Sequence, residues 1–401
     1  MSEWKKVKLI DCCLKIGSGS TPKGGSTVYV ESGTSFIRSQ NVYNLSFDYN
    51  GLTHITEDAA NKLNGVTIFN DDILLNITGD SVARTCIVPN DVLPARVNQH
   101  VAIVRADCKM INSRFLNYYL ASPGMQAHML SLAVGKGASR NAMTKQMIEN
   151  FEVPCPSLST QHRIATILSR YDSLIENYQK QIKLLEEAAQ RLYKEWFVDL
   201  HFPGHENTKI VDGVPEGWEK KPISQLGEYL NGFAFKPSDW QESGKPIIKI
   251  KEMGNGVSND TPRNNGERVS VKYLVKAGDL LFSWSATLMV TVWSGEEGWL
   301  NQHLFKVTPA KGIGREFLLQ SISNTIEEFQ NLTTGSTMKH IQRNKLDQVF
   351  VNVPDDEIMT SYSDLAECMR NQILHLSSQI RLLTEARDRL LPKLMSGEIE
   401  I

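Results

Sequence analysis

The stretch QIKLLEEAAQRL at 181–192 returns as QIRLLTEARDRL at 379–390, with eight of twelve letters identical and Lys183 exchanged for Arg381. A fold that accommodates the first must accommodate the second, and the repetition extends far beyond these segments. NQHVAIV (98–104) returns as NQHLFKV (301–307), and DDILLNITG (71–79) as GDLLFSWSA (278–286), which aligns Asp72 with Asp279. Trp4 to Leu9 returns as Trp218 to Ile223, and FEVPCP (151–156) as FVNVPD (350–355). The offset drifts from about 214 to 198, so the halves differ by short loop insertions, while the landmarks keep one order. A period of this length is no solenoid repeat; it is one unit used twice.

Each unit divides in two. Its first part, about 150 residues, carries short β-branched runs such as VTIF and HVAIV, broken by Gly, Asn, Asp and Pro, which are strand and turn signals. Helical patches intervene at RFLNYYLAS (114–122) and REFLLQSIS (315–323). The second part is a long helix. From Ser159 to about Val198 there is neither Pro nor Gly, and apolar or aromatic residues from Ile164 through Tyr171, Tyr178 and Leu185 to Trp196 step by three and four. That is a coiled-coil seam on a rod of roughly 60 Å, with Ser159 or Thr160 as the expected N-cap. The second copy places Leu365, Met369, Ile373, Leu376, Ile380, Leu383, Leu390 and Leu394 on the same steps, with Arg387 interrupting the seam and Pro392 expected to bend or end the helix.

A narrow apolar stripe of that length needs a partner. The expected fold is therefore α+β: two tandem mixed α/β domains, 1–157 and 201–354, with two long helices, 158–200 and 355–401, pairing as an antiparallel coiled coil with approximate two-fold symmetry. The alternative is that each rod is a separate dimerisation handle.

Composition narrows the class. With 41% hydrophobic and 22% charged residues the chain has the make-up of an ordinary globular protein. No apolar run approaches the roughly 20 residues of a membrane span, MSEWKKVKLIDCC does not read as a signal peptide, and the six cysteines show no C-x-x-C spacing, so a cytoplasmic location without membrane attachment is expected. Net charge is −2; residues 1–157 carry 15 Lys and Arg against 13 Asp and Glu, and residues 201–354 carry 17 against 17. Any nucleic acid would be held through local patches.

A search for catalytic chemistry returns nothing specific. There is no phosphate-cradling G-x-x-x-x-G-K-[ST], no histidine pair at metal-ligand spacing and no nucleophile elbow. The run Glu216, Glu219, Lys220, Lys221 is too tightly spaced for a nuclease site and reads as solvated surface. GSGSTPKGG (17–25) reads as a surface loop. Two similar globules set apart by rods, with no engine, suit a reader of a split target such as duplex DNA.

The segment VPCPSLSTQHRIATILSRYDSLIENYQKQIKLLEEAAQRLYKEWF (153–197), together with 353–398 ending LLPKLMSGEI, GSGSTP, FIRSQNV, DDILLNITG and NQHVAIV, resembles the specificity subunit of type I restriction–modification enzymes along essentially the whole chain. The C-terminal copy departs in one respect: NVPDDEIMTSYSDLAECM lacks the Q-x-x-I that opens the first helix. The resemblance implies that two target-recognition domains each read half of a bipartite double-stranded DNA site. It further implies that the paired helices set the gap and dock two methyltransferase subunits that use S-adenosylmethionine to methylate adenines. Motor–nuclease subunits using ATP and magnesium join that core, and the specificity subunit itself catalyses nothing and holds no cofactor.

Base reading needs side chains that donate or accept in pairs, and phosphate grip needs cations, hydroxyls and backbone amides. The candidates in the first globule are Arg38, Ser39, Gln40 and Asn41; their positional counterparts are Lys249, Lys251 and Glu252, the last able to accept from a cytosine amino group. Two loops before the rods, with Lys136, Ser139 and Arg140 in one and Ser336, Thr337, Lys339 and His340 in the other, are candidates for phosphate. Lys23, Arg84 and Lys236 complete the set. Each could equally be an exposed polar turn or loop without a partner. Asn98–His100 and Asn301–His303 are identical in both copies and so suit a shared scaffold or phosphate contact better than base reading, and Trp284 suits the core. On the rods, Arg163, Arg170, Lys183 and Arg191 could meet a partner or be a solvated face. Two other functions compete: a scaffold whose globules grip proteins, and an enzyme with an unrecognised site.

Overall fold

A computed structural model describes residues 4–134, 141–332 and 343–401. The chain forms two compact units: Met1–Ile175 with Leu383–Ile401, and Glu176–Leu382. Both long helices are therefore shared, each contributing one part to each unit.

In the first unit an antiparallel four-stranded sheet is built from β1 (Cys13–Ser18), β3 (Ile73–Asn76), β4 (Thr85–Ile87) and β6 (Val101–Ala106), in the order β4-β3-β6-β1. A second sheet carries a parallel pair, β2 (Thr34–Ile37) and β5 (Ala95–Val97), with Ile37 opposite Val97. β3, β5 and most of β6 are enclosed, and apolar apart from Asn76 and Arg96, as strands covered on both faces require. Helix α1 (Ser113–Ala121) packs on this core behind the cap that Asn112 gives to the Phe115 amide.

The second unit repeats the plan. β7 (Gly227–Asn231), β9 (Leu280–Ser283), β10 (Met289–Val292) and β12 (Leu304–Pro309) form a sheet in the order β10-β9-β12-β7. β8 (Lys245–Ile248) pairs in parallel with β11 (Gly298–Leu300) and is followed by the short helix α3 (Ile250–Asn255), and helix α4 (Arg315–Asn324) packs on the sheet core. Each globule is closed by its two ends: Lys6–Lys8 pairs with Glu152–Pro154, and Glu219–Pro222 with Phe350–Val353. These closures place the start of a long helix directly after each.

Helix α2 runs from Leu158 to Tyr193 and helix α5 from Asp356 to Met395. Their caps occupy equivalent positions, and that of α2 lies two residues before Ser159 and three before Thr160, the two expected. Ser157 Oγ accepts the Thr160 amide at 3.2 Å, and Asp355 Oδ1 accepts the Glu357 and Ile358 amides at 3.1 and 3.0 Å. Gln161, the Gln of Q-x-x-I, is fully enclosed; it accepts from the Asn112 amide and donates to the Pro156 and Met110 carbonyls, tying the helix to the globule. Met359 takes its place in the second copy, where the α4 cap residue Gly314 comes close to α5: a Cβ there would lie 2.4 Å from Ser363 Oγ.

In the first unit Ile164, Ala165 and Leu168 of α2 share a core with Leu391, Leu394 and Met395 of α5. In the second unit Tyr193 at the end of α2 shares a core with Ile358, Met359, Tyr362 and Ala366 at the start of α5. The helices thus pair antiparallel in both units. Three details differ from the heptad reading. Leu174 of α2 is 44% exposed; Leu365 of α5 is 50% exposed, and the buried side of α5 there runs through Tyr362, Ala366 and Arg370 instead. Arg387 does not interrupt the seam but lies within it, neutralised by Asp172. Pro392 does not end the helix: it sits one turn from the C-terminus, where its missing N–H removes a single hydrogen bond.

Candidate nucleic-acid interface

In the first unit the ends of β2, β3, β5 and β6 gather loops that carry most of the candidate residues. Gly19 donates to the Val101 carbonyl and Ser20 to the Val97 carbonyl, both within 3.0 Å, which holds the segment leading to exposed Lys23 against the 98–100 triplet. This glycine is not free surface: a Cβ would fall 2.1 Å from the Val97 oxygen. Thr21 Oγ1 bonds to Gln99. The Asn98 amide donates to the Ile37 carbonyl, bringing the Arg38–Asn41 turn to the same end.

Asn76, enclosed within the protein, joins the remaining pieces. Its amide N–H donates to the Arg84 carbonyl at 2.8 Å, and its side chain donates to the Ser39 carbonyl at 2.8 Å. Gly79 donates to the Asn141 carbonyl at 2.9 Å, so the chain re-enters beside this rim after 135–140. Lys136, Ser139 and Arg140, like Ser336, Thr337, Lys339 and His340, lie outside the described residues.

The second unit builds the same frame from different letters. Gly232 donates to the Leu304 carbonyl, Gln302 to that of Phe233, and Asn301 to that of Ile248. These bonds bring the segment with exposed Lys236 and the turn starting at Lys249 to the 301–303 triplet. In both triplets the Asn side chain accepts the amide of the histidine two residues on, at 3.1 and 3.4 Å. In each, the Gln Nε2 faces its neighbouring His Nε2. The identical triplet is scaffold at its Asn, while its Gln is exposed in the first copy and half-buried in the second.

Two expected base readers are consumed by this frame. Asn41 is fully enclosed: its Oδ1 accepts the Arg38 amide at 3.0 Å and its Nδ2 donates to the Asp48 and Asn50 carbonyls. Glu252 is 2% exposed; it accepts the Lys249 amide at 3.1 Å and the Thr261 hydroxyl at 3.1 Å. Both do one job, closing the turn after the parallel strand, and neither presents an acceptor to a base. Ser39 is half-buried and gives its carbonyl to Asn76.

The others remain at the surface with distinct surroundings. Arg38 is half-buried and donates from Nη2 to the Gly51 carbonyl at 2.8 Å, where exposed Gln40 also donates at 3.2 Å. Arg84 lies over the Tyr43 ring at 4.5 Å and the Lys249 ammonium over the Trp240 ring at 4.6 Å; both aromatics are exposed, and neither figured among the sequence candidates. Exposed Lys251 is held by Asp260 at 2.5 Å; that bond, with one from the Ser258 hydroxyl, holds the Asp260 carboxyl down to about 2. Trp284 is half-buried, its indole N–H bonded to Asn231. On the helices Arg163 and Arg170 flank a shallow groove of α2 with His162 and Ile167. Lys183 and Arg191 are exposed, the latter 3.8 Å from Glu187. Among the described residues no group of three His, Cys, Asp or Glu is placed to hold a metal ion, and no helix is long and apolar enough to cross a membrane.

Residues 1–187 and 215–372 match the type I restriction modification DNA specificity domain, once in each copy. The chain belongs to this family. Its relatives include the MjaIX specificity subunit of Methanocaldococcus jannaschii, 24% identical over 99% of this chain and 93% of that one. The HindI specificity subunit of Haemophilus influenzae is 21% identical over the full length of both. The fold is that of the type I system S subunit from M. genitalium, with a TM-score of 0.58 at 14% identity, covering 98% of this chain and 96% of that one. Specificity subunits of type I systems are thus what this chain is similar to throughout its length, and its role is DNA recognition within restriction–modification.

Proposed function

We propose that each globule reads one half of a bipartite, asymmetric site in double-stranded DNA, and that the two long helices set the gap and dock two methyltransferase subunits. Motor–nuclease subunits complete the assembly. The chemistry belongs to those partners, S-adenosylmethionine to the methyltransferase and ATP with magnesium to the motor, and this chain contributes no catalytic group.

The observation that carries this reading is a conserved frame with a divergent rim inside one chain. Equivalent backbone bonds hold equivalent turns in both units, yet the turns present Arg38 and Gln40 in one and Lys249 and Lys251 in the other. A scaffold kept constant while its exposed donors change suits two unlike half-sites read by side chains at base edges and phosphates. Arg38, Gln40, Lys23, Arg84, Lys236, Lys249 and Lys251 are the described residues proposed to do this; Asn41 and Glu252 shape their turns.

The test is co-expression with a type I methyltransferase subunit and mapping of methylated adenines. A single motif with two unlike halves and a constant gap is expected. An assembled complex without new methylation would favour the second reading, a protein-binding scaffold, which the near-neutral charge of both globules permits. Salt separates the two: phosphate contacts make log affinity fall with log salt by about 0.9 per contact, and a mainly apolar interface does not.

A further inference from the structure

The repeat offset of 198 aligns Asp172 of α2 with Arg370 of α5, and Ala189 of α2 with Arg387 of α5. Equivalent positions on two otherwise similar helices therefore differ in charge, and the structure shows where those charges go. In the first unit Arg387 donates to Asp172 at 2.7 Å, with side chains 13% and 26% exposed, and the Tyr118 hydroxyl donates to the other carboxylate oxygen. Arg387 also reaches Asp388 at 2.8 Å. In the second unit Arg370 pairs with Glu316 of α4 at 2.6 Å, with side chains 6% and 1% exposed. Ala189 is fully enclosed in that unit, and Glu186, one turn before it, interacts with Arg370.

We propose that this seam is keyed for α2 against α5 of one chain and rejects a second copy of either helix. Antiparallel pairing sets position 172 opposite 387, and, by the repeat, 370 opposite 189. Two α2 helices would set Asp172 against Ala189 at both crossings and strip the carboxylate of its guanidinium. Two α5 helices would set Arg370 against Arg387 twice. Only α2 with α5 puts anion against cation. A half-buried charge without its partner is costly, and like charges across a seam exclude the wrong partner, as polar seam residues do in coiled coils. The duplicated helices are similar enough to share one fold and different enough to be monogamous. This goes beyond DNA reading and does not depend on it.

The experiment uses the full chain and opposite charges at one site, with mass measured by light scattering at low and high salt. Ala189→Glu faces Arg370 within the chain and faces Asp172 in a pair of α2 helices, so it stays a monomer like the parent. Ala189→Arg faces Arg370 within the chain and completes a self-complementary α2, so its mass doubles. If both substitutions behave alike, volume rather than charge governs the seam and the proposal is wrong; a parent chain that is itself a dimer through these helices also overturns it. Should either Ala189 variant fail to fold, Arg387 decides. Arg387→Glu meets Asp172 within the chain but Arg370 in a pair of α5 helices, and is expected to dimerise. Arg387→Lys keeps the key and stays monomeric; equal mass for these two overturns the proposal.

Discussion

A carboxylate or amide in a polar turn can either face a ligand or close the turn, and Asn41 and Glu252 show the second outcome in both copies. Each reaches back three residues to cap the amide of Arg38 or Lys249, and each is enclosed in doing so. The neighbouring long cations cannot do this job and stay outward. Gly19 shows the same economy in the backbone. With a Cβ 2.1 Å from the Val97 carbonyl oxygen, Gly19→Ala forces the 19–25 loop away from the triplet. We expect a loss of about 1–3 kcal/mol in urea unfolding, and weaker DNA binding with no charge removed. The Arg370–Glu316 pair makes a larger prediction. Glu316→Ala leaves a buried guanidinium without its carboxylate, at a cost of about 3–5 kcal/mol. Adding Arg370→Met should recover much of that stability, which a thermal or urea series on the single and double variants will read.

At the scale of the element, periodicity located both rods well, since a seam of threes and fours is a property of consecutive residues. Their ends needed the globules. Ser157 and Asp355 become caps because the strands before them are pinned by Lys6–Lys8 and Glu219–Pro222, which fixes where the helix can start. Asp355→Ala, removing bonds to two amides, should cost about 1 kcal/mol, seen as a lower urea midpoint with unchanged slope. The α5 face around Leu365 departs from the heptad pattern for a related reason: Tyr362 finds an aromatic pocket of Tyr193, Phe197 and Phe317, with ring centroids 4.8 to 6.4 Å away, and that pocket turns the helix.

At the scale of the molecule the compact units do not follow the globule–rod–globule–rod order of the chain, because each takes a portion of both helices. If the helices set the gap of the DNA site, inserting four residues near Lys183 adds about 6 Å. At 3.4 Å per base step, the methylated motif should then widen by about one to two base pairs with both halves unchanged; altered halves would sink the ruler. The duplication, the strand runs and the two seams were legible because they are written in local periodicity and in repetition along one chain. Which polar residues remain available was not, because that depends on contacts between segments far apart in sequence. Asn76 meets Ser39, Glu252 meets Thr261, Arg387 meets Asp172, and Arg84 finds Tyr43. A polar side chain satisfies its hydrogen bonds with whatever the fold brings within 3 Å or so, and only the tertiary structure decides what that is.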